Sequence, residues 1–352
     1  MHSAVRCCSH ARISTATRHP MALLSLDDLA PGQEYAAGPI TVGRDELVAF
    51  ARAYDPQPFH LDEAAAKETF VGTLIGSGWQ TAALGMRLFA QALVSHATSM
   101  GSPGITALRW LRPVLPGDAL SAVIRVEEVR PSSSKPDRGM ARLSMTLTNG
   151  RGEAVMTQAF AVLFARAGAV PAPRPVELST ETGPVAEPDD AVPLPYLAQA
   201  ELGVTRGLGA HRFEADDIIA FARAYDPQIF HLDAEAARAT HFGALCASGW
   251  QTAAVWMKRL NATFARDIAL TARSGPVPQL GPSPGFKDLK WLRPVYAGDT
   301  IRYASTLIDR RASRSRPGWG IATHHNTAEN QRGEPVFAFT GTVFWQWEPP
   351  AA

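Results

Sequence analysis

The sequence predicts an α+β fold built from two tandem units, each a long central helix wrapped by an antiparallel β-sheet. Three observations predict it. The chain has 352 residues, which is more than one hydrophobic core usually serves. The stretch FARAYDPQPFHLD at residues 50–62 is repeated as FARAYDPQIFHLD at residues 221–233, with Pro58 against Ile229 as the one difference. In both halves a long apolar segment follows this stretch, and alternating segments separated by turns come after it.

The helices of the first half can be assigned in order. Residues 45–53 place apolar side chains at helical spacing. Pro56 and Pro58 end this helix, because proline lacks a backbone donor and disfavours the α conformation in the residue before it. A short helix is predicted at residues 63–69. The long helix, residues 79–96, is apolar on most of its faces and is therefore expected in the interior.

Strands follow the long helix. Four apolar segments are separated by Pro-Gly, polar and Asn-Gly turns, a pattern typical of an antiparallel meander; they are residues 105–114, 119–129, 141–148 and 154–165. The second half repeats this order, and its landmarks SGWQTAA, WLRPV and RGE recur. One insertion, residues 274–285, is rich in Gly and Pro and is either a lid over a site or a surface loop.

The repeats predict two domains, at residues 21–168 and 196–352. Residues 169–195 between them carry repeated proline and acidic residues, which predicts a solvated, extended linker. The domains are expected to pack as a pseudo-dimer with both long helices central and both sheets joined; a further homodimer stays possible. Residues 1–20 are interpreted as a disordered tail or an over-long start, although the lack of acidic residues over residues 1–26 also suits an organellar transit peptide.

Composition narrows the class of function. The chain is 46% hydrophobic and 19% charged, as soluble globular proteins are, and its formal net charge is +1. That charge argues against a nucleic-acid partner or an anionic membrane, and no apolar run is long enough to span a bilayer. Cys7, Cys8 and Cys246 form neither a disulfide framework nor a metal-binding CxxC pattern, which favours a reducing, cytoplasmic location.

The repeated stretch carries the candidate chemistry. Asp55 and His60 stand five residues apart on a turn stiffened by proline, and Asp226 and His231 repeat the arrangement. A carboxylate and an imidazole held in one cleft are a general acid/base pair. The alternative for Asp55 is a cap of the turn, and for His60 a packed or surface histidine; the same spacing in two copies favours function.

These residues resemble the MaoC-like family of (R)-specific enoyl-CoA hydratases and dehydratases, the hydratase 2 type. That family's pattern reads Asp-x-Asn-Pro-x-His, followed later by a glycine where a helix starts. Here Gln57 stands in place of the Asn, and Gly78 lies between Ser77 and Trp79 at the predicted helix start. The turn LRPV-x-x-GD is a second match in each half. The fold implied by the resemblance is a double hot-dog.

The resemblance implies a hydro-lyase that adds water to, or removes it from, an enoyl- or 3-hydroxyacyl-CoA thioester. Asp55, His60, Asp226 and His231 would be its acid/base groups. The backbone N–H groups of Gly78 and Gly249 would bind the thioester oxygen, although a glycine at a helix start also relieves crowding. The CoA thioester is the substrate, and no metal or redox cofactor is expected.

Other polar residues receive weaker assignments. Basic side chains on two hairpin tips could bind the CoA phosphates, or could be solvated surface residues; they are Lys135, Arg138, Arg314 and Arg316. Ser77 and Ser248 could cap the long helices or contact substrate. Asp62 and Asp233 are predicted to cap the short helices that follow them.

Two alternatives stay open at this stage. A thioesterase on the same fold would direct water to the carbonyl, and a non-catalytic protein would bind an acyl thioester without turnover. The carrier could be CoA or an acyl-carrier protein. Eukaryotic relatives of the family have lost the pair in one half, whereas both halves keep it here, so the sequence leaves open which copy is active.

Overall fold

The computed structural model of the chain describes residues 23–349. The predicted tail at residues 1–20, together with Cys7 and Cys8, lies outside the described residues. Within the described range, each half contains four α-helices and five strands in the same order.

The first half comprises β1 (Glu34–Thr41), α1 (Arg44–Tyr54), α2 (Pro58–Leu61), α3 (Glu63–Lys67), α4 (Gly78–Ala92), β2 (Gly104–Trp110), β3 (Ala119–Pro131), β4 (Arg138–Thr148) and β5 (Ala154–Ala165). The second half comprises β6 (Thr205–Arg212), α5 (Ala215–Tyr225), α6 (Ile229–Leu232), α7 (Ala234–Arg238), α8 (Gly249–Thr271), β7 (Gly285–Trp291), β8 (Thr300–Ala312), β9 (Trp319–Glu329) and β10 (Pro335–Gln346). Asp62 accepts the N–H groups of Ala64 and Ala65, and Asp233 accepts that of Ala236, so both predicted caps are confirmed.

All ten strands form one antiparallel sheet, in the order β1-β3-β4-β5-β2-β7-β10-β9-β8-β6. The halves meet where β2 pairs with β7, with Ile105 opposite Leu289. The prediction that the two sheets join is therefore confirmed. Because the strand order on one side of this pair mirrors the order on the other, equivalent positions of the two halves face each other across a pseudo-twofold axis.

The two long helices contact each other inside the curve of the sheet. Helix α4 is buried over most of its length. The predicted helix at residues 79–96 is too long: Leu93 leaves the helical conformation (φ −141°, ψ −63°), and residues 94–96 form a separate 3-10 turn. Helix α8 has 23 residues against 15 in α4, so the second half presents more helix surface to its neighbours.

The linker, residues 169–195, has no regular secondary structure and most of its residues are exposed, but it is also attached to the second half. Its backbone is hydrogen-bonded to the second half at several points: Arg174 N–H donates to the His241 carbonyl, and Val192 N–H donates to Oδ1 of Asp267. Leu194 is buried. Asp189 adds a further contact, because its Oδ2 accepts the N–H of Gly207.

The insertion at residues 274–285 lies along the end of β10. Gly281 N–H donates to the Phe344 carbonyl, and Gln346 N–H donates to that of Gln279. A Cβ on Gly281 would fall against the Trp319 ring and the Cβ of Phe344, so the segment packs directly on these two residues. Within residues 23–349, no helix is both long enough and apolar enough to cross a bilayer.

Candidate active site

Asp226 and His231 are positioned by the break between α5 and α6. Helix α5 ends at Tyr225, and Pro227 keeps the chain from continuing as helix. Both side chains are buried, with 3% and 5% of their surface exposed, and His231 Nε2 lies 3.4 Å from Asp226 Oδ2. Asp55 and His60 form the same pair at the same 3.4 Å distance. The structure therefore brings each predicted pair together.

Two neutral side chains hold each carboxylate. Ser248 Oγ donates to Asp226 Oδ2 at 2.7 Å, and Gln228 Nε2 donates to Oδ1 at 2.9 Å. In the first half, Ser77 and Gln57 make the same two bonds to Asp55, at 2.6 and 2.8 Å. The glutamine that replaces the family's asparagine thus orients the acid.

The serines also cap the long helices, as predicted. Ser77 Oγ accepts the N–H of Trp79, and Ser248 Oγ accepts that of Trp250, both at 3.2 Å. The two serine residues are fully buried. Each hydroxyl proton is given to a carboxylate, and Ser248 is not among the residues that line the cavity described below.

His231 is fixed from its other ring nitrogen. Its Nδ1 lies 2.7 Å from the backbone carbonyl of Cys246, so Nδ1 carries a proton and Nε2 faces the carboxylate. Burial lowers the pKa of His231, but Asp226 and Cys246 outweigh it and raise the pKa to about 10. Burial raises the pKa of Asp226, and His231, Ser248 and Gln228 together outweigh it and lower that pKa. The pair is therefore a carboxylate and an imidazolium at neutral pH.

Gly249 is the first residue of α8, and tryptophan packing requires it to be glycine. A Cβ here would collide with the indole of Trp291, whose Nε1 donates to the Gly249 carbonyl at 2.9 Å. In the first half, a Cβ on Gly78 would likewise collide with the indole of Trp110, whose Nε1 donates to the Gly78 carbonyl at 2.8 Å. Among the hydrogen bonds of residues 23–349, none uses the N–H of either glycine. Each N–H is thus left at the positive end of a helix dipole, as an oxyanion donor requires.

A cavity of about 250 Å³ opens beside the second pair. Asp226, His231 and Gly249 line one part of it. Side chains of the first half line another part, and most of them are apolar: they include Met86, Phe89, Gln158, Phe160 and Val162. The second pair thus lies at a cavity that both halves line.

Basic side chains surround the mouth of this cavity. Lys135, Arg138, Arg174 and His241 line an adjoining pocket, and Arg138 is held by Asp137 at 2.8 Å. Lys135 and Arg138 were predicted from the hairpin tip, and the structure places them at the site of the opposite half. Arg174 was not predicted from the sequence, because it is a single arginine in a linker that is otherwise proline-rich and acidic.

The predicted cations of the second hairpin are arranged differently. The Arg316 guanidinium lies 5.7 Å from the ring centre of Trp319 and 5.3 Å from that of Phe344. Arg314 is exposed to solvent. The structure therefore does not gather these two arginines at the mouth of a described cavity.

The first pair has one partner that the second lacks. Asn261, on α8 of the opposite half, donates from Nδ2 to Asp55 Oδ1 at 2.8 Å. The sequence gave no indication of this contact, because Asn261 lies 206 residues away within an otherwise ordinary helix.

Residues 23–349 contain no group of three or more His, Cys, Asp or Glu side chains placed to hold a metal ion. The free Cys246 is buried at the cavity wall, beside His231.

The sequence was compared with known families and proteins. A family profile described as "MaoC like domain" matches residues 28–147 and 191–329. The uncharacterized protein YdeM of Bacillus subtilis (strain 168) is 24% identical over 143 residues, which are 41% of this chain and all of YdeM.

Two solved structures share the overall architecture. A putative MaoC domain protein dehydratase from Chloroflexus aurantiacus J-10-fl is 17% identical, with a TM-score of 0.75 over 95% of this chain and 100% of that one. A conserved hypothetical protein from Mycobacterium tuberculosis with a double hotdog fold is 16% identical, with a TM-score of 0.68 over 91% of this chain and 98% of that one. At these identities the likeness shows the fold, which is the predicted double hot-dog.

Proposed function

Because the chain belongs to the MaoC-like dehydratase family, we propose that it adds water to, or removes it from, an enoyl- or 3-hydroxyacyl thioester at the Asp226–His231 pair. One observation carries the proposal. The buried carboxylate and imidazolium lie at a cavity that also exposes Gly249 at the start of a helix, so a base, an acid and an oxyanion donor share one space. The (R) configuration of the product is part of the proposal and comes from the family resemblance alone.

The residues divide the hydration step between them. Asp226 accepts a proton from water while the water oxygen bonds to the β carbon of the substrate. The double-bond electrons move toward the carbonyl, and the Gly249 N–H stabilises the enolate oxygen that forms. His231 then gives its Nε2 proton to the α carbon. A proton then passes from Asp226 to His231, which returns both groups to their starting protonation states. The net reaction is the addition of one water to the double bond.

The first half supplies the wall for the acyl chain in this proposal. Met86, Phe89 and Phe160 line the cavity opposite the pair. An apolar wall holds the acyl chain and excludes bulk water from the reacting carbons. Neither a metal nor a redox cofactor enters the reaction, because the thioester itself acidifies the α hydrogen.

We place the phosphates of the carrier against Lys135, Arg138 and Arg174. These side chains border the cavity mouth, and guanidinium and ammonium groups are the usual partners of phosphate in proteins. CoA and the phosphopantetheine arm of a carrier protein share this chemistry. A cytoplasmic location also belongs to the proposal, since Cys246 is a free thiol.

An activity screen tests the proposed function. The purified chain is given enoyl-CoAs of graded length, and loss of the conjugated thioester absorbance is followed together with release of free thiol. Hydration without thiol release supports the proposal. Thiol release from saturated acyl-CoAs identifies a thioesterase and overturns it, and binding without either reaction identifies a non-catalytic binder.

A further inference from the structure

We infer that the Asp55–His60 pair is a silenced copy of the site, because Asn261 occupies the acceptor position that a water would use, and that each chain turns over substrate at one site. The inference rests on the proposed function. It assigns Asn261 as the residue that decides which of the two copies is active.

The Asp55 carboxylate accepts one hydrogen bond more than the Asp226 carboxylate does. Asp55 Oδ1 accepts from Gln57 and from Asn261, both at 2.8 Å, while Oδ2 accepts from Ser77 and faces His60. A carboxylate oxygen has two lone-pair positions, so both oxygens of Asp55 are saturated. A water molecule cannot be activated by an acceptor that has no free lone pair to take its proton.

Asp226 Oδ1 keeps a free lone pair, which Asp55 Oδ1 does not. Within residues 23–349, Gln228 is the one donor to Asp226 Oδ1, while Ser248 and His231 face Oδ2. Asp226 also lines the cavity. Its Oδ1 can therefore accept a proton from a water that reaches it through the cavity.

The difference comes from one position of the repeat. Ala90 stands as far after Gly78 in α4 as Asn261 stands after Gly249 in α8. Helix α8 contacts α1, and α4 contacts α5, so these positions face equivalent carboxylates. The methyl group of Ala90 is buried and cannot donate a hydrogen bond.

Among the described residues, two side chains at the second pair are replaced by aromatic side chains at the first, which is an independent observation. Arg138 begins β4, and its counterpart at the start of β9 is Trp319. Phe70 is the counterpart of His241, because each follows the histidine of its pair by the same number of residues. The ring centres of Phe70 and Trp319 lie 6.4 Å apart. Arg316, in the place of Lys135, lies against the Trp319 ring. Aromatic side chains thus replace Arg138 and His241, and Arg316 packs on one of them.

Hydrogen bonding gives a reason to keep a silent pair. Asp55 and His60 are buried, with 2% and 4% of their surface exposed. Without the Asp55 carboxylate, the donors of Ser77 and Gln57 would lose their acceptor, and unsatisfied buried donors destabilise a fold. Asp55 therefore contributes to stability even when no reaction takes place at it.

Single substitutions in the first pair give the first test. Asp55→Asn is expected to keep hydratase kcat within about twofold of the parent, whereas Asp226→Asn loses on the order of a hundredfold or more. Thermal unfolding of each variant identifies those that fail to fold. If Asp226→Asn retains about half of the activity, the first pair is active and the inference is wrong.

The second test places an asparagine at the position of α4 that is equivalent to Asn261. It leaves both Asp–His pairs unchanged. Ala90→Asn should place a donor against Asp226 Oδ1 and lower kcat at least tenfold, while Ala90→Val adds similar bulk without a donor and retains more activity. Equal activity of the two variants would contradict the role of the amide. A parent chain that hydrates no enoyl thioester would overturn the proposed function itself, and this inference with it.

Discussion

The Trp291 indole N–H donates to the Gly249 carbonyl at 2.9 Å, and its ring covers the side of Gly249 where a Cβ would be. The tryptophan thereby fixes the first turn of α8, and among the hydrogen bonds of residues 23–349 none uses the Gly249 N–H. One aromatic contact thus accounts for the glycine at this position.

Gly249→Ala is expected to displace Trp291 and the first turn of α8. Because the oxyanion donor moves with that turn, kcat/KM should fall by roughly a hundredfold. Gly78→Ala is the matched control: it meets Trp110 in the same way, so it should lower the melting temperature similarly while activity falls much less. Steady-state kinetics and thermal unfolding of both variants check this, and equal losses of activity would contradict it.

Gln228 is expected to act as a positioning residue. Its amide nitrogen donates to Asp226 Oδ1, and its amide oxygen accepts from Ser99 Oγ at 2.9 Å. Gln228→Ala releases the carboxylate and should lower kcat about tenfold with little change in KM. Gln57→Ala, at the first pair, should leave kcat near the parent value. An effect of Gln228→Ala on KM alone would contradict the positioning role.

The basic residues at the cavity mouth should act on the carrier and not on the reaction. Arg174→Ala or Lys135→Ala is expected to raise KM for an enoyl-CoA by roughly three- to tenfold, as loss of about 1 kcal/mol of phosphate binding predicts. Neither should change KM for the N-acetylcysteamine thioester of the same acid, which has no phosphate. Arg314→Ala is the exposed control, and an equal rise of KM for both thioesters would contradict the assignment.

Stability should depend on pH through the Asp226–His231 pair. The lowered pKa of Asp226 stabilises the fold above about pH 4, the ordinary value for the unfolded chain, and this contribution is lost as pH falls. The raised pKa of His231 contributes fully below about pH 6.5, and this contribution is lost as pH rises toward about 10. We compare the parent with the Asp226→Asn/His231→Gln double variant. The parent's free energy of unfolding minus that of the variant should be largest between about pH 4 and 6.5. Denaturant unfolding measured from roughly pH 3 to 9 checks the sign, and a difference that keeps growing above about pH 7 would contradict it.

Much of the fold could be predicted from local pattern. The repeat of residues 50–62 at residues 221–233 indicates two equivalent units, and the apolar long helix indicates what each sheet wraps. The helix end at Ala92 could not be predicted, because the apolar pattern runs on past Leu93. Docking of the linker was missed because it depends on contacts such as the one between Val192 and Asp267, which follow from the fold.

The candidate site was predictable where its residues are close in sequence. Asp226 and His231 share one turn, so their spacing alone indicates a pair. Ser248 reaches Asp226 from 22 residues away, and Asn261 reaches Asp55 from 206 residues away. The first contact depends on the tertiary fold of the second half and the other on the way the halves pack, and no local pattern in one sequence contains that information.

The central claim is that the Asp226 carboxylate activates water for an enoyl thioester. Its most direct test is the initial rate of crotonyl-CoA hydration by the parent chain and by Asp226→Asn, after both are shown to unfold at similar temperatures. The account predicts a fall on the order of a hundredfold or more. A folded Asp226→Asn variant that hydrates crotonyl-CoA as fast as the parent would contradict it.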